Sequence, residues 1–251
     1  MKKQQVLLAL VLFALGTIGI VSILTMEIAL PAEVEAILKE KFTSGQIKLL
    51  TLINPMMLLV VAIFTGTGLF QKVKLKVPII EKLVGGKNDF NTSDILLNGI
   101  LGGVLSGILL SLVSLIFMPI LPGEFWELKE EIQPNLAVRF LYGGLTEEIL
   151  MRFGLMTFIV WIFSRIFKKL TSGVYWIAIV LAAIIFAFGH FPIVYQSVET
   201  PSLGLLSYLL IGNTIGGIIF GWLYWRKGLE SAFIAHMFAH LIMVMTESLL
   251  V

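Results

Sequence analysis

Two adjacent glutamates and an arginine, Glu147, Glu148 and Arg152, interrupt a stretch that otherwise reads as lipid-facing helix. An ionisable side chain at bilayer depth costs at least ~2.5 kcal/mol on insertion scales. Three kept together must satisfy one another or serve a substrate. The chain's three histidines, His190, His236 and His240, also fall inside apolar runs. Carboxylates and imidazoles on separate helices are a sufficient kit for hydrolysis. A glutamate takes a proton from water as general base, and a histidine orients that water or shuttles the proton. Two polar side chains on a further helix can hold the oxyanion of a tetrahedral intermediate.

Spacing narrows the assignment. At ~100° per residue of α-helix, Glu148 and Arg152 lie one turn apart on one face and suit an internal ion pair, while Glu147 faces something else. Gly143 and Gly144 lie one turn before the glutamates and leave room for a substrate backbone or a neighbouring helix. A purely structural pair locking two helices accounts for Glu148 and Arg152 at least as well as a site does. It accounts poorly for Glu147, because one arginine cannot readily neutralise two buried carboxylates. His236 and His240 are four apart and share a face, either as hydrogen-bonding helix residues or as site groups. His190 closes Phe186-Ala187-Phe188-Gly189-His190. There the plainer alternatives are a helix-terminal histidine and, for Phe186, core packing.

The elements that position these residues follow from composition. Of 251 residues, 58% are hydrophobic and 14% charged, where a soluble domain carries roughly 25% charged. The expected fold class is all-α, a polytopic transmembrane helical bundle of seven spans, or eight. Uncharged or nearly uncharged runs lie at 6–26, 49–70, 95–123, 135–163, 174–191, 203–225 and 229–251, and ~20 apolar residues span the hydrocarbon core. The first run shows no small-residue cleavage site before Glu27 and is read as a membrane helix, not a signal peptide. Gly102, Gly103 and Gly107 in the third run, and Gly212, Gly216, Gly217 and Gly221 in the sixth, suit close helix packing. Residues 1–94 form an N-terminal unit of two spans and a lysine-rich cytoplasmic loop. Residues 95–251 form the core that holds the motifs.

Charge sets an orientation. With Lys2 and Lys3 inside, alternating spans place twelve of the eighteen basic residues in cytoplasmic segments, against four in outer loops. The expected location is the cell membrane, N-terminus cytoplasmic and C-terminus outside. A net charge of +2 points to no nucleic-acid partner, and with no cysteine there is neither a disulfide framework nor thiolate chemistry.

The motif Glu-Glu-x-x-x-Arg (147–152), then Phe-x-x-x-His (186–190), then His-x-x-x-polar (236–240), in this order on three hydrophobic helices, resembles the CAAX-protease and bacteriocin-processing family. That family is also called Abi and includes the type II CAAX prenyl endopeptidases. The likeness covers about 135–245. It implies an intramembrane endopeptidase with Glu147 as water-activating base and His190 as its partner. His236 and His240 would hold the oxyanion, and Glu148, Arg152 and Phe186 would support the site. The family is often described as metallopeptidases, and Glu147, His190 and His236 would be the ligands if a zinc is bound, with water as the fourth. The metal-free mechanism is the preferred one, with no other cofactor. Two departures stand out: His240 sits where the family most often has Asn or Asp, and members commonly have an eighth span. Straight-helix depth also puts Glu147 mid-membrane, His190 near the outer end and His236 nearer the inner end, so tilted or broken helices are needed to join them.

The expected partners are a membrane-associated peptide or protein substrate and the lipid bilayer; the sequence sets no oligomeric state. The alternatives are a non-catalytic bacteriocin-immunity or partner-binding protein on the same scaffold, and a proton-coupled transporter with a Glu/His relay.

Overall fold

The computed structural model describes residues 3–26, 32–86, 89–132 and 134–249. Lys2 and Lys87, counted among the inside charges, and Glu27, the end of the signal-peptide test, lie outside the described residues. Among the described residues there is no strand. Seven helical segments are long and apolar enough to cross a membrane: Lys3–Thr25, Ser44–Leu69, Thr92–Phe117, Val138–Ile166, Ser172–Ser197, Leu203–Lys227 and Leu229–Leu249. They match the seven apolar runs. This is a multi-pass membrane bundle, and large apolar side chains such as Phe64, Val61 and Leu101 stand exposed on its outside. In lipid such exposure carries no hydrophobic penalty.

The fourth span is the hub. Its first part packs against the first and seventh spans, and its second part against the second and fifth. It departs from the α-helical geometry assumed above: Val138–Glu147 and Ile149–Met156 are π-helical, and only Thr157–Ile166 is α-helical. A π-helix bonds i→i+5 and so turns through a smaller angle per residue. Consecutive side chains therefore splay less than the ~100° expected.

Glycines set several of the contacts. A Cβ at Gly103 would meet the Ala235 carbonyl oxygen at 2.5 Å, and one at Gly217 would meet the Ala183 Cβ at 2.6 Å. The third and seventh spans, and the fifth and sixth, are thus held backbone to backbone. Gly212 and Gly216 differ from the packing role expected of them, since both line a cavity.

The two ends of the bundle are built differently. At one end the segment after the second span folds back onto the helices. Val73, Leu75, Val77 and Ile80 are buried, Tyr175 donates to the Val73 carbonyl at 2.8 Å, and Leu229 N–H donates to the Lys76 carbonyl at 3.1 Å. The short helix Pro78–Leu83 docks on the start of the seventh span through Ile80 N–H to Glu230 Oε1, 2.9 Å. This stretch is therefore not the free hydrophilic loop its lysines predict. At the other end the helix Pro122–Glu131 is tied to the sixth span by Ser202 Oγ–H to Glu124 Oε2, 2.7 Å. There, too, Arg139 meets Glu247 at 3.2 Å and Asn135 reaches Thr25.

Candidate active site

Glu148 and Arg152 are almost completely buried, 0% and 1% exposed. Arg152 Nε lies 3.2 Å from Glu148 Oε2, so the ion pair predicted from their spacing is present. The approach is electrostatic and off-line: Arg152 Nε, Nη1 and Nη2 have no hydrogen-bond partner among the described residues. The guanidinium instead sits over two rings, Phe186 at 5.1 Å and Phe220 at 5.7 Å from their centroids. Aromatic faces attract a cation and exclude water without hydrogen bonds. Phe186 thus does more than fill the core.

The second oxygen of Glu148 takes a histidine. His236 Nδ1 lies 2.9 Å from Glu148 Oε1. A carboxylate accepts, so Nδ1 carries the proton and, in the neutral ring, Nε2 is left with its lone pair. That Nε2 faces Glu147, 3.9 Å from Oε2. The two glutamates, expected to face different things, reach the two nitrogens of one imidazole. The π-helical segments on either side of Glu148 narrow the angle between the two side chains. The His236 ring is stacked between Phe220 (4.6 Å, 22°) and His240 (4.9 Å, 20°).

Gly143 and Gly144 admit the neighbouring helix. A Cβ on Gly143 would stand 2.8 Å from His240 Nε2 and 3.5 Å from His236 Nε2, and one on Gly144 would meet Met237 at 2.5 Å. Both uses read from these glycines occur: the seventh span approaches closely at each, and Gly143 also borders the open space beside Glu147. His240 Nδ1 is buried with no hydrogen-bond partner among the described residues.

His190 stands where the fifth helix ends, at the turn before Phe191–Ser197. Its Nδ1–H donates to the Phe186 carbonyl at 2.9 Å, so its Nε2 is also unprotonated in the neutral ring. Phe186 packs edge-on to it, 4.7 Å between centroids.

One cavity of about 660 Å³ joins these groups; Glu147, His190, His236 and His240 all line it. Its size lies within the usual range of ligand clefts, roughly 300–1,000 Å³. The depth difficulty is met in two ways: Glu147 and Glu148 come level with His236, and the cavity runs from them out to His190 at its helix end. Among the described residues the histidine in contact with Glu147 is His236; His190 faces the same space without touching the carboxylate.

Sequence reasoning missed several lining residues. Asn213, Tyr142, Tyr208 and Glu247 also face the cavity. Asn213 was findable, as a lone amide in an apolar helix beside Gly212. As for metal, no three His, Asp or Glu side chains among the described residues stand close enough together to hold an ion. The trio Glu147, His190 and His236 does not fit a zinc as arranged.

No curated protein and no solved structure matches the chain. Residues 130–242 match the family model described as type II CAAX prenyl endopeptidase Rce1-like, a match that implies a membrane peptidase. The resemblance read from the three motifs is borne out, and the stretch that holds both glutamates, the arginine and all three histidines is similar to the Rce1-like type II CAAX prenyl endopeptidases.

Proposed function

We propose that this protein is an intramembrane endopeptidase that hydrolyses a peptide bond of a membrane-associated substrate, with Glu147 as the general base. The observation that carries the reading is the Glu148–His236–Glu147 arrangement. A fully buried carboxylate fixes one imidazole tautomer and turns its free nitrogen toward a second carboxylate that faces a cavity.

The chemistry follows from the donors. Water enters between Glu147 and His190, whose Nε2 lone pair accepts one of its hydrogen bonds. Glu147 removes the other proton as the oxygen attacks the scissile carbonyl carbon. The carbonyl π electrons move to oxygen, and His240, with a nitrogen free to donate, holds that oxyanion. The proton passes from Glu147 to His236 Nε2 and on to the leaving nitrogen as the C–N bond breaks. This assigns His236 a proton-carrying part, whereas the family resemblance implies an oxyanion part: with Nδ1–H committed to Glu148, neutral Nε2 has no hydrogen to give. The 3.9 Å gap to Glu147 closes to a hydrogen bond by a small rotation, as catalytic contacts commonly do on substrate binding. Glu148 and Arg152 act through His236 and are positioning residues. No step passes through a metal.

The family's printed description names a prenylated CAAX substrate, and that is the first probe to use. Purified protein is given a fluorogenic prenylated CAAX peptide and, in parallel, an unmodified apolar peptide. Wild type is compared with Glu147→Gln and His190→Ala, with and without a zinc chelator. Cleavage that survives chelator and is lost in Glu147→Gln supports the mechanism. Cleavage abolished by chelator and restored by zinc overturns the metal-free part. Full activity in Glu147→Gln overturns the assignment of the base.

A further inference from the structure

The lysine-rich end and the cavity end of the bundle are opposite ends. Lys3, the four lysines between 72 and 82, Arg165, Lys168, Lys169, Arg226 and Lys227 belong to the first. They cluster by contact as well as by sequence: Gln4 donates to the Gly85 carbonyl at 2.7 Å, and Lys227 Nζ pairs with Asp94 at 2.9 Å. The cavity lies toward the other end. Its outer wall is built by Met26, Ile132, Pro134, Ile193 and Glu247, which come from the ends of the first and seventh spans, the entry to the fourth and the helix after His190. The charged residues of the helix Pro122–Glu131 and of the turn after Phe191–Ser197, beside that mouth, are mainly acidic, Glu124, Glu127, Glu130 and Glu199 against Lys129.

Basic residues flanking membrane helices are retained on the cytoplasmic side. Ten described Lys and Arg lie at the end away from the mouth, while Lys39, Lys41, Lys48 and Lys129 are in segments at the mouth end and Arg139 is inside the mouth. We infer that the cavity opens on the face of the membrane away from the cytoplasm, so that its substrate is an apolar peptide segment presented from the extracytoplasmic side. The substrate half of this statement rests on the peptidase reading; the sidedness does not. Leu110, Ile193, Leu209, Phe220 and Met243 give the cavity apolar walls. Its volume admits a short extended segment and excludes a folded domain. At the inner end a cytosolic protein tail would meet the docked 71–86 segment, none of whose residues lines the cavity.

The chain contains no cysteine, so single cysteines report position without background. Gly123, whose Cβ position is open, and exposed Tyr195 mark the mouth end. Exposed Leu83, together with Thr171, whose side chain makes no capping bond, marks the other end and leaves every lysine in place. Ile193→Cys reports on the cavity itself. In intact cells a membrane-impermeant maleimide is expected to label Gly123→Cys, Tyr195→Cys and Ile193→Cys, and to label Leu83→Cys and Thr171→Cys only after permeabilisation. The reverse pattern, or partial labelling of all five before permeabilisation, overturns the sidedness. An impermeant fluorogenic apolar peptide is then given to sealed vesicles of each orientation. Cleavage by right-side-out vesicles alone is the expected result; cleavage by inside-out vesicles alone overturns the substrate assignment. Labelling as expected with cleavage in neither orientation, even after detergent, overturns the peptidase reading and leaves the sidedness standing.

Discussion

This bundle holds two pairs of carboxylates inside it, three of the four fully buried and Glu147 opening on the cavity, and they are put to different use. Glu81 and Glu230, 8% and 6% exposed, lie at the lysine-rich end. Glu230 Oε1 accepts from Ile80 N–H, and Glu81 accepts from Val77 N–H at 3.3 Å and from Gln71 Nε2 at 3.2 Å. Backbone and amide donors tie three of that pair's four oxygens into fastening a short helix to the seventh span, and the fourth, Glu230 Oε2, is buried without a partner among the described residues and away from the cavity. Glu147 and Glu148 instead meet an arginine without hydrogen bonds and an imidazole with one nitrogen to spare, on the wall of a cavity. Burial of acidic groups therefore does not mark a site. Unspent donors and acceptors facing an enclosed space do.

The sharpest way to break this contrast is Glu147→Gln. It keeps the shape and removes the base, and loss of one general base costs about 10²–10⁴-fold. Peptide cleavage should fall by that factor while thermal stability in detergent stays unchanged. Arg152→Met comes next. Removing one partner of a buried pair costs about 3–5 kcal/mol, so a large drop in melting temperature is expected. Adding Glu148→Gln should restore much of the stability but not the activity, since His236 then loses the carboxylate that fixes its tautomer.

A smaller effect is expected from Gly143→Ala. Its new methyl would lie 2.8 Å from His240 Nε2, and overpacking of this kind costs about 1–3 kcal/mol. Cleavage should fall more than stability does, because the displaced groups are those of the site; equal losses would argue for a scaffold role alone. The smallest effect belongs to the other pair. Glu230→Gln keeps an oxygen for the Ile80 N–H, so stability should change by no more than about 1 kcal/mol and cleavage should not change. Loss of cleavage in that variant would erase the distinction between the two pairs.

The seven spans were legible because lipid-exposed and buried residues are alike apolar, so each crossing is an unbroken run. The same fact hides which face points where: in the third span Leu101 is exposed while Gly103 meets the Ala235 backbone, and hydropathy does not separate them. Glu147, Glu148, Arg152 and the histidines were legible because charge is rare in such runs. Their mutual geometry was not, since the π-helical winding of 138–156 leaves no mark that α-helical spacing can read. In the sequence Glu81 is one acid in a stretch dominated by lysines, and Glu230 a single acid at the head of the last span. Burial of both depends on a docking contact between residues 150 positions apart.

The stacking of His236 between Phe220 and His240 has a dynamic consequence. With a ring on each face and Nδ1 tied to Glu148, the imidazole cannot turn over without breaking both the stack and the hydrogen bond. A proton collected at Nε2 keeps that nitrogen's address and has one exit, into the cavity. Proton traffic through this residue acquires direction from a clamped ring, with no gate or moving helix required.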